Sequence, residues 1–152
     1  MHVLLAYASL SGNTREVARI VAARLGAHGH AVRCVDVDGA QAVEVGQQLD
    51  VLLLGCWTDN AGRTPTEMKQ FVAALRDGPG LPPPPRVAVF GTGETQWGQE
   101  YYCGAAHRLA RFFGSPHPVL EIEQMPHGDA DTRSIHQWVD QVSAAIEILP
   151  PC

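Results

Sequence analysis

Five short apolar runs recur along the chain: Val3 to Ala8, Ala31 to Val37, Val51 to Gly55, Val87 to Gly91 and Val119 to Ile122. Most are continuous rather than alternating, the pattern of strands covered on both faces in a parallel sheet. Between them lie stretches with apolar residues every three or four positions. Thr14 to Leu25, Thr66 to Leu75, Tyr102 to Phe113 and Asp131 to Ile148 carry the helical period, and Gly39 to Gln48 carries it more weakly. The order is therefore strand then helix, five times over, which predicts an α/β fold. Right-handed crossovers place helices on both sides of a five-stranded parallel sheet, in a three-layer α/β/α arrangement with strand order 2-1-3-4-5. In such a sheet the ligand crevice opens at the carboxyl ends of strands one and three. Gly78-Pro79-Gly80-Leu81 and Pro82 to Pro85 suit neither helix nor central strand and read as a stiff connector before strand four, a spacer rather than a ligand for proline-reading modules.

The first strand runs directly into Ser9-Leu10-Ser11-Gly12-Asn13-Thr14, and the first helix follows. Three hydroxyls and an amide on a tight turn, beside the free N–H groups of a helix start, make an anion site. No lysine or arginine lies in the loop. A nucleoside triphosphate site needs a P-loop lysine and a dinucleotide site needs Gly-x-Gly-x-x-Gly, so the turn suits a small phosphate monoester held by neutral donors.

Two later loops fall at the same end of the predicted sheet. In the first, the strand at Val51 runs into Cys56-Trp57-Thr58-Asp59-Asn60-Ala61-Gly62-Arg63-Thr64-Pro65. In the second, Val87 to Gly91 leads to Thr92-Gly93-Glu94-Thr95, then Trp97, Tyr101, Tyr102 and Cys103-Gly104-Ala105-Ala106. Taken singly, the aromatics read as core or surface residues and Cys103 as a small buried hydrophobe.

Length and composition bound the rest. A chain of 152 residues, 45% hydrophobic, suits one domain over 1–152 with one good core. No secretory leader or membrane-spanning run is evident, so the expectation is a cytoplasmic protein with no membrane association. Cys34, Cys56, Cys103 and Cys152 are widely separated, with neither a disulfide framework nor metal-ligand spacing. Six of the seven histidines, His28, His30, His107, His117, His127 and His136, show no ligand spacing either and read as surface or helix-terminal residues. A net charge of −5, with one lysine (Lys69) beside ten arginines, argues against nucleic acid and favours a partner with a basic face.

Tyr7 to Thr14 resembles the phosphate loop of flavodoxins, and the two later loops resemble that family's flavin-binding loops. The resemblance runs from Val3 through Trp138, without a long insertion in strand five, as in short-chain flavodoxins. It implies noncovalently bound FMN and one-electron carriage at low potential between a flavodoxin/ferredoxin reductase and redox acceptor proteins, by a monomer that is not itself an enzyme. By the same resemblance Ser9, Leu10, Ser11, Gly12, Asn13 and Thr14 hold the phosphate. Trp57, Thr58, Asp59, Asn60, Ala61 and Gly62 meet the inner edge of the ring, and Thr92, Gly93, Glu94, Trp97, Tyr101, Tyr102 and Cys103 meet the outer side. Three departures stand out. Flavodoxins carry an aromatic residue and a glycine where this chain has Asp59-Asn60, Glu94 replaces an aspartate, and the loop from Trp97 to Cys103 is longer. Either Trp57 covers the ring or it is core packing while Asp59-Asn60 contact the flavin edge; on the outer side the cover is Trp97 or Tyr102. Asn60 adopts left-handed backbone less freely than glycine, so the one-electron-reduced flavin is expected to be less stabilised here.

Two other readings share the FMN. Gln96-Trp97-Gly98 resembles the outer loop of the flavodoxin-like activator of manganese ribonucleotide reductase, and a flavin-dependent reductase is the other alternative. The latter needs a substrate cavity and a route for NAD(P)H, for which the residues offer no candidate. A cysteine phosphatase is excluded by spacing, since Cys56 and Arg63 are separated by one residue too many and Asp59 would repel the substrate. A phospho-receiver domain needs acids after strand one, where Ala8-Ser9 stands.

Overall fold

The computed structural model describes residues 1–38, 49–58, 62–78, 80–94, 102–124 and 126–150. Among them the elements run β1 (His2–Ala8), α1 (Asn13–Ala27), β2 (Ala31–Asp36), β3 (Val51–Trp57), α2 (Thr66–Asp77), a 3-10 turn (Pro84–Arg86), β4 (Val87–Gly93), α3 (Gly104–Phe113), β5 (Leu120–Glu123) and α4 (Gly128–Glu147). The five strands form one sheet in the order β2-β1-β3-β4-β5, every pair parallel. This is the flavodoxin-like α/β topology expected from the run order. The weaker helix expectation at 39–48 lies outside the described residues.

Two cores sandwich the sheet. On one face Leu4, Ala6, Leu52, Leu54, Val87 and Val89 pack against α2 and α3 through Met68, Phe71, Leu75, Ala106 and Leu109. On the other, Val3, Leu5, Leu53, Ala88 and Phe90 pack against α1 and α4 through Val17, Val21, Ile135, Trp138 and Val142. Alternate residues of one strand serve opposite faces, which is why the central strands read as unbroken apolar runs. β5 lies at an edge and alternates instead, with Leu120 and Ile122 buried and Glu121 and Glu123 exposed.

β3 and β4 run two residues further than their apolar runs suggest, because the ladder continues through Cys56↔Gly91 and Trp57↔Thr92. The glycines there make room for neighbours rather than breaking the strands. A Cβ on Gly55 would lie 2.2 Å from the Phe90 ring, and one on Gly91 would lie 2.7 Å from the Ala106 methyl. α3 starts at Gly104 rather than Tyr102, since Cys103 is left-handed at φ 49° and stands outside the helix. The proline connector ends in the 3-10 turn where no helix was expected; proline suits its first positions, which need no N–H. The rigid result of this packing is a set of strand ends, β1, β3 and β4, that deliver three loops to one place.

Candidate functional site

Beyond β1 the chain turns at Gly12, whose φ of 94° is open to glycine and costly to other residues. Ser9 Oγ fastens the turn by accepting from the N–H of Gly12 at 3.1 Å and of Arg15 at 3.3 Å. The N–H groups of Leu10, Ser11, Asn13 and Thr14 have no acceptor among the described residues. Four unused donors at a helix start therefore belong to residues that line one cleft, the composition an anion site requires.

The floor of the site is a buried contact between two loops. Thr14, fully buried, and Thr92, 2% exposed, join hydroxyl to hydroxyl at 2.8 Å. Leu10, Ser11, Asn13, Thr14, Trp57, Thr58, Thr92, Gly93 and Glu94 together line an open cleft of about 280 Å³. It lies at the carboxyl ends of β1, β3 and β4, where the topology places the crevice. No lysine or arginine lines it among the described residues. Arg15 stands nearby but turns to Asp36, at 3.6 Å.

Trp57 both packs and lines. Its ring lies against the α2/α3 core and forms part of the cleft wall, and its Nε1 donates to Glu67 Oε1 at 3.1 Å. Thr58 Oγ1 accepts from the N–H of Ala105 at 3.2 Å, which keeps its own hydrogen available to the cleft. On the other side Gly104 lies flush against Gly62, where a Cβ would sit 2.9 Å from the Gly62 carbonyl. The β3 and α3 loops thus touch backbone to backbone.

Tyr102 lies beside Gly93, its Cδ2 at 3.3 Å from where a Cβ would be, but it lines a second cleft of about 350 Å³ with Gly62, Gly104, His107, Arg108, Arg111 and Glu121. Burial raises the Tyr102 phenol, and the charges of Cys103, Glu121, Glu123 and Asp131 add to the effect. The Cys103 thiol is pushed up to about 12 by burial and then by Glu121. Burial also raises Cys56, which is fully buried and donates to its neighbour's carbonyl at 3.0 Å. Both sulfurs stay protonated and act as packing groups, which agrees with rejecting a phosphatase nucleophile.

Of the residues singled out in the sequence, Leu10, Ser11, Asn13, Thr14, Trp57, Thr58, Thr92, Gly93 and Glu94 line one cleft, with Ser9 and Gly12 in the same turn; Gly62 and Tyr102 line the second cleft, and Cys103 is buried beside Gly93. Asp59, Asn60, Ala61, Trp97 and Tyr101, and with them the reading of Gln96-Trp97-Gly98, lie outside the described residues. The Thr14–Thr92 contact, the Trp57–Glu67 tether and the Gly62–Gly104 contact were not foreseen, and no spacing rule announces them. His30 stands just past the end of α1, consistent with a surface or helix-terminal residue. Its side chain is 7% exposed, because Nε2 meets Ser143 Oγ at 3.1 Å and Glu147 at 3.2 Å while Nδ1 meets the Met1 amine at 3.2 Å.

The donor set fits a phosphate monoester on a planar ring system. The unused N–H groups and free hydroxyls face an anion with neutral donors, and the walls beyond them are an indole, strand-end glycine and threonine, and one carboxylate. Among the described residues no helix is long and apolar enough to cross a membrane, and no group of histidine, cysteine and acidic side chains is placed to hold a metal.

A family model described as Flavodoxin matches residues 5–138. The chain is 27% identical over 151 residues to the flavodoxin of Nitratidesulfovibrio vulgaris (strain DSM 19637 / Miyazaki F), covering 95% of this chain and 99% of that protein. It is 29% identical over 144 residues to the probable flavodoxin 2 of Bacillus subtilis (strain 168), covering 88% and 89%. Its fold superposes on the crystal structure of oxidised flavodoxin 2 from Bacillus cereus with a TM-score of 0.79 at 28% identity, covering 95% and 99%. With the topology, the phosphate turn and the matched family model agreeing, the chain belongs to the flavodoxin family, as a short-chain member that binds FMN and carries electrons rather than acting as an enzyme.

Proposed function

We propose that Ser9 to Thr14 take the FMN phosphate, that Trp57, Thr58, Gly62, Thr92, Gly93, Glu94, Tyr102 and Cys103 take the ring, and that Asp59, Asn60, Ala61, Trp97 and Tyr101 complete the contacts. The observation that carries this is the set of four unused N–H groups at Leu10, Ser11, Asn13 and Thr14, opening on a cleft that also holds Trp57 and Gly93. When bound, the flavin supplies one-electron chemistry. The chain contributes position and field. Neutral donors bind the phosphate without placing a cation in the cleft. Glu94 at its wall, and Glu121 and Glu123 at the end of β5, disfavour added negative charge there, which supports a low potential. The Thr14–Thr92 contact holds the phosphate turn against β4, so the donors need little reordering on binding.

In this reading the chain is a single domain that works as a monomer in the cytoplasm, passing single electrons from a flavodoxin/ferredoxin reductase to acceptor proteins. Titrating the flavin-free protein with FMN, following fluorescence quenching, and then reducing it stepwise tests the reading. Uptake of one FMN and two separable one-electron steps are expected. Failure to take up FMN, or an affinity unchanged by the pair Ser11→Ala and Thr58→Val, would overturn the site assignment.

A further inference from the structure

The net charge of −5 conceals an uneven distribution. Carboxylates end the outer strands, with Asp36 as the last residue of β2 and Glu121 and Glu123 in β5. The α2/α3 side has the opposite sign. Between these helices runs a groove of about 380 Å³ whose walls include Lys69, Arg76, Arg108, Val72, Leu109 and Phe112, with no carboxylate among its lining residues.

Three features of the groove are chemical rather than incidental. First, α3 carries His107, Arg108 and Arg111 and no acid at all. Second, the side chains of Lys69, Arg108 and Arg111 have no ion-pair or hydrogen-bond partner among the described residues, whereas those of most other arginines do. Arg76 pairs only with its neighbour Asp77, both well exposed. Third, the floor is apolar, and Phe112 at its rim is 56% exposed, one of only three large hydrophobic residues so exposed among those described. Like charges gathered around an apolar floor repel one another when the groove is empty, and an apolar group ringed by carboxylates relieves both costs at once. Arg108 also lines the second cleft, with Tyr102 and Gly104, so the groove adjoins that cleft.

We propose that the α2/α3 groove is a docking surface for a carboxylate-rich segment of a partner protein, with an apolar side chain seated between Leu109 and Phe112 and its acids held by Lys69, Arg76 and Arg108. That this partner exchanges electrons with the chain rests on the carrier reading above. The net charge alone favours a basic partner; this face selects an acidic one, so the chain presents surfaces of opposite sign to two kinds of protein.

The test uses FMN-loaded protein and a fluorescein-labelled peptide rich in aspartate and leucine, beside its counterpart with asparagine for aspartate. Anisotropy is expected to report binding of the acidic peptide that weakens with salt and falls at least roughly tenfold in Lys69→Glu/Arg108→Glu. Because Lys69 is the sole lysine, carbodiimide coupling should join a peptide carboxylate to that residue, as mass spectrometry of the digest would read. Equal binding by the double variant, equal binding of the asparagine peptide, displacement by inorganic phosphate at matched charge, or coupling that spares Lys69 would each overturn the proposal. The visible spectrum of the same samples reports FMN independently, so a failed carrier reading and a failed docking surface give different results.

Discussion

Thr14 and Thr92, 78 positions apart, meet hydroxyl to hydroxyl at 2.8 Å in the buried floor of the cleft. One residue lies in the first turn of α1 and the other near the end of β4, so this hydrogen bond ties the turn after β1 to the carboxyl end of β4. Thr14→Val keeps the shape and strands the Thr92 hydroxyl. A loss of about 1–3 kcal/mol in denaturant unfolding is expected, together with weaker FMN binding by fluorescence quenching. The double variant Thr14→Val/Thr92→Val should recover part of the stability, because no buried hydroxyl is then left unpaired.

Gly104→Ala drives a Cβ to 2.9 Å from the Gly62 carbonyl, which is backbone and cannot swing aside. The two loops must separate, at a cost of about 1–3 kcal/mol, and FMN affinity should fall with stability. Gly55→Ala places its methyl 2.2 Å from the Phe90 ring, in the core rather than at the cleft. That variant should lower Tm while the folded fraction still takes up FMN, a contrast that calorimetry and flavin titration together would read.

Trp57 is held by Glu67, and releasing it tests what the tether does. In Glu67→Ala the indole N–H loses its acceptor while the ring keeps its apolar neighbours. The expected outcome is a shifted visible circular dichroism of bound FMN with little change in Tm, since a partly exposed hydrogen bond adds only about 1 kcal/mol. Glu67→Gln, which retains an acceptor, should restore the wild-type spectrum.

Thiol reactivity should sort by burial. Cys34 is exposed, its thiol raised by partial desolvation, whereas Cys56 and Cys103 are buried and burial raises both, Cys103 to about 12. In a Cys152→Ser background, Ellman's reagent should find one thiol in the native protein and three after denaturation. Rapid native labelling of Cys103 would show that its loop opens in solution.

Acid stability should depend on Asp140. Hydrogen bonds from Arg24, at 2.9 and 2.8 Å, and from His28, at 2.7 Å, hold its carboxyl far below the usual range. A depressed folded pKa gives stability that is complete above the unfolded value, near 4, and is lost as pH falls toward the folded value. Asp140→Asn should therefore lower Tm at pH 7, with the difference from wild type narrowing below about pH 4 and nearly gone at pH 1. A constant difference over that range would assign the effect to packing of α1 on α4 instead.

The sequence by itself determined the class, the strand order and the tight turn between β1 and α1. Those depend on local periodicity, on the chirality of crossovers and on a run such as Ser9 to Thr14, all of which are carried by neighbouring residues. The ends of elements were less legible, since β3 and β4 extend through Trp57 and Gly93 on ladder partners supplied by another strand. Only the tertiary structure decided that Thr14 bonds Thr92, that Trp57 is both wall and tether, that Gly62 and Gly104 touch, and that Lys69 and Arg108 share one groove. Each of these joins residues dozens of positions apart, or sets a side chain's direction by what packs behind it. No period or motif records such contacts, because they arise from where the sheet brings the strand ends together.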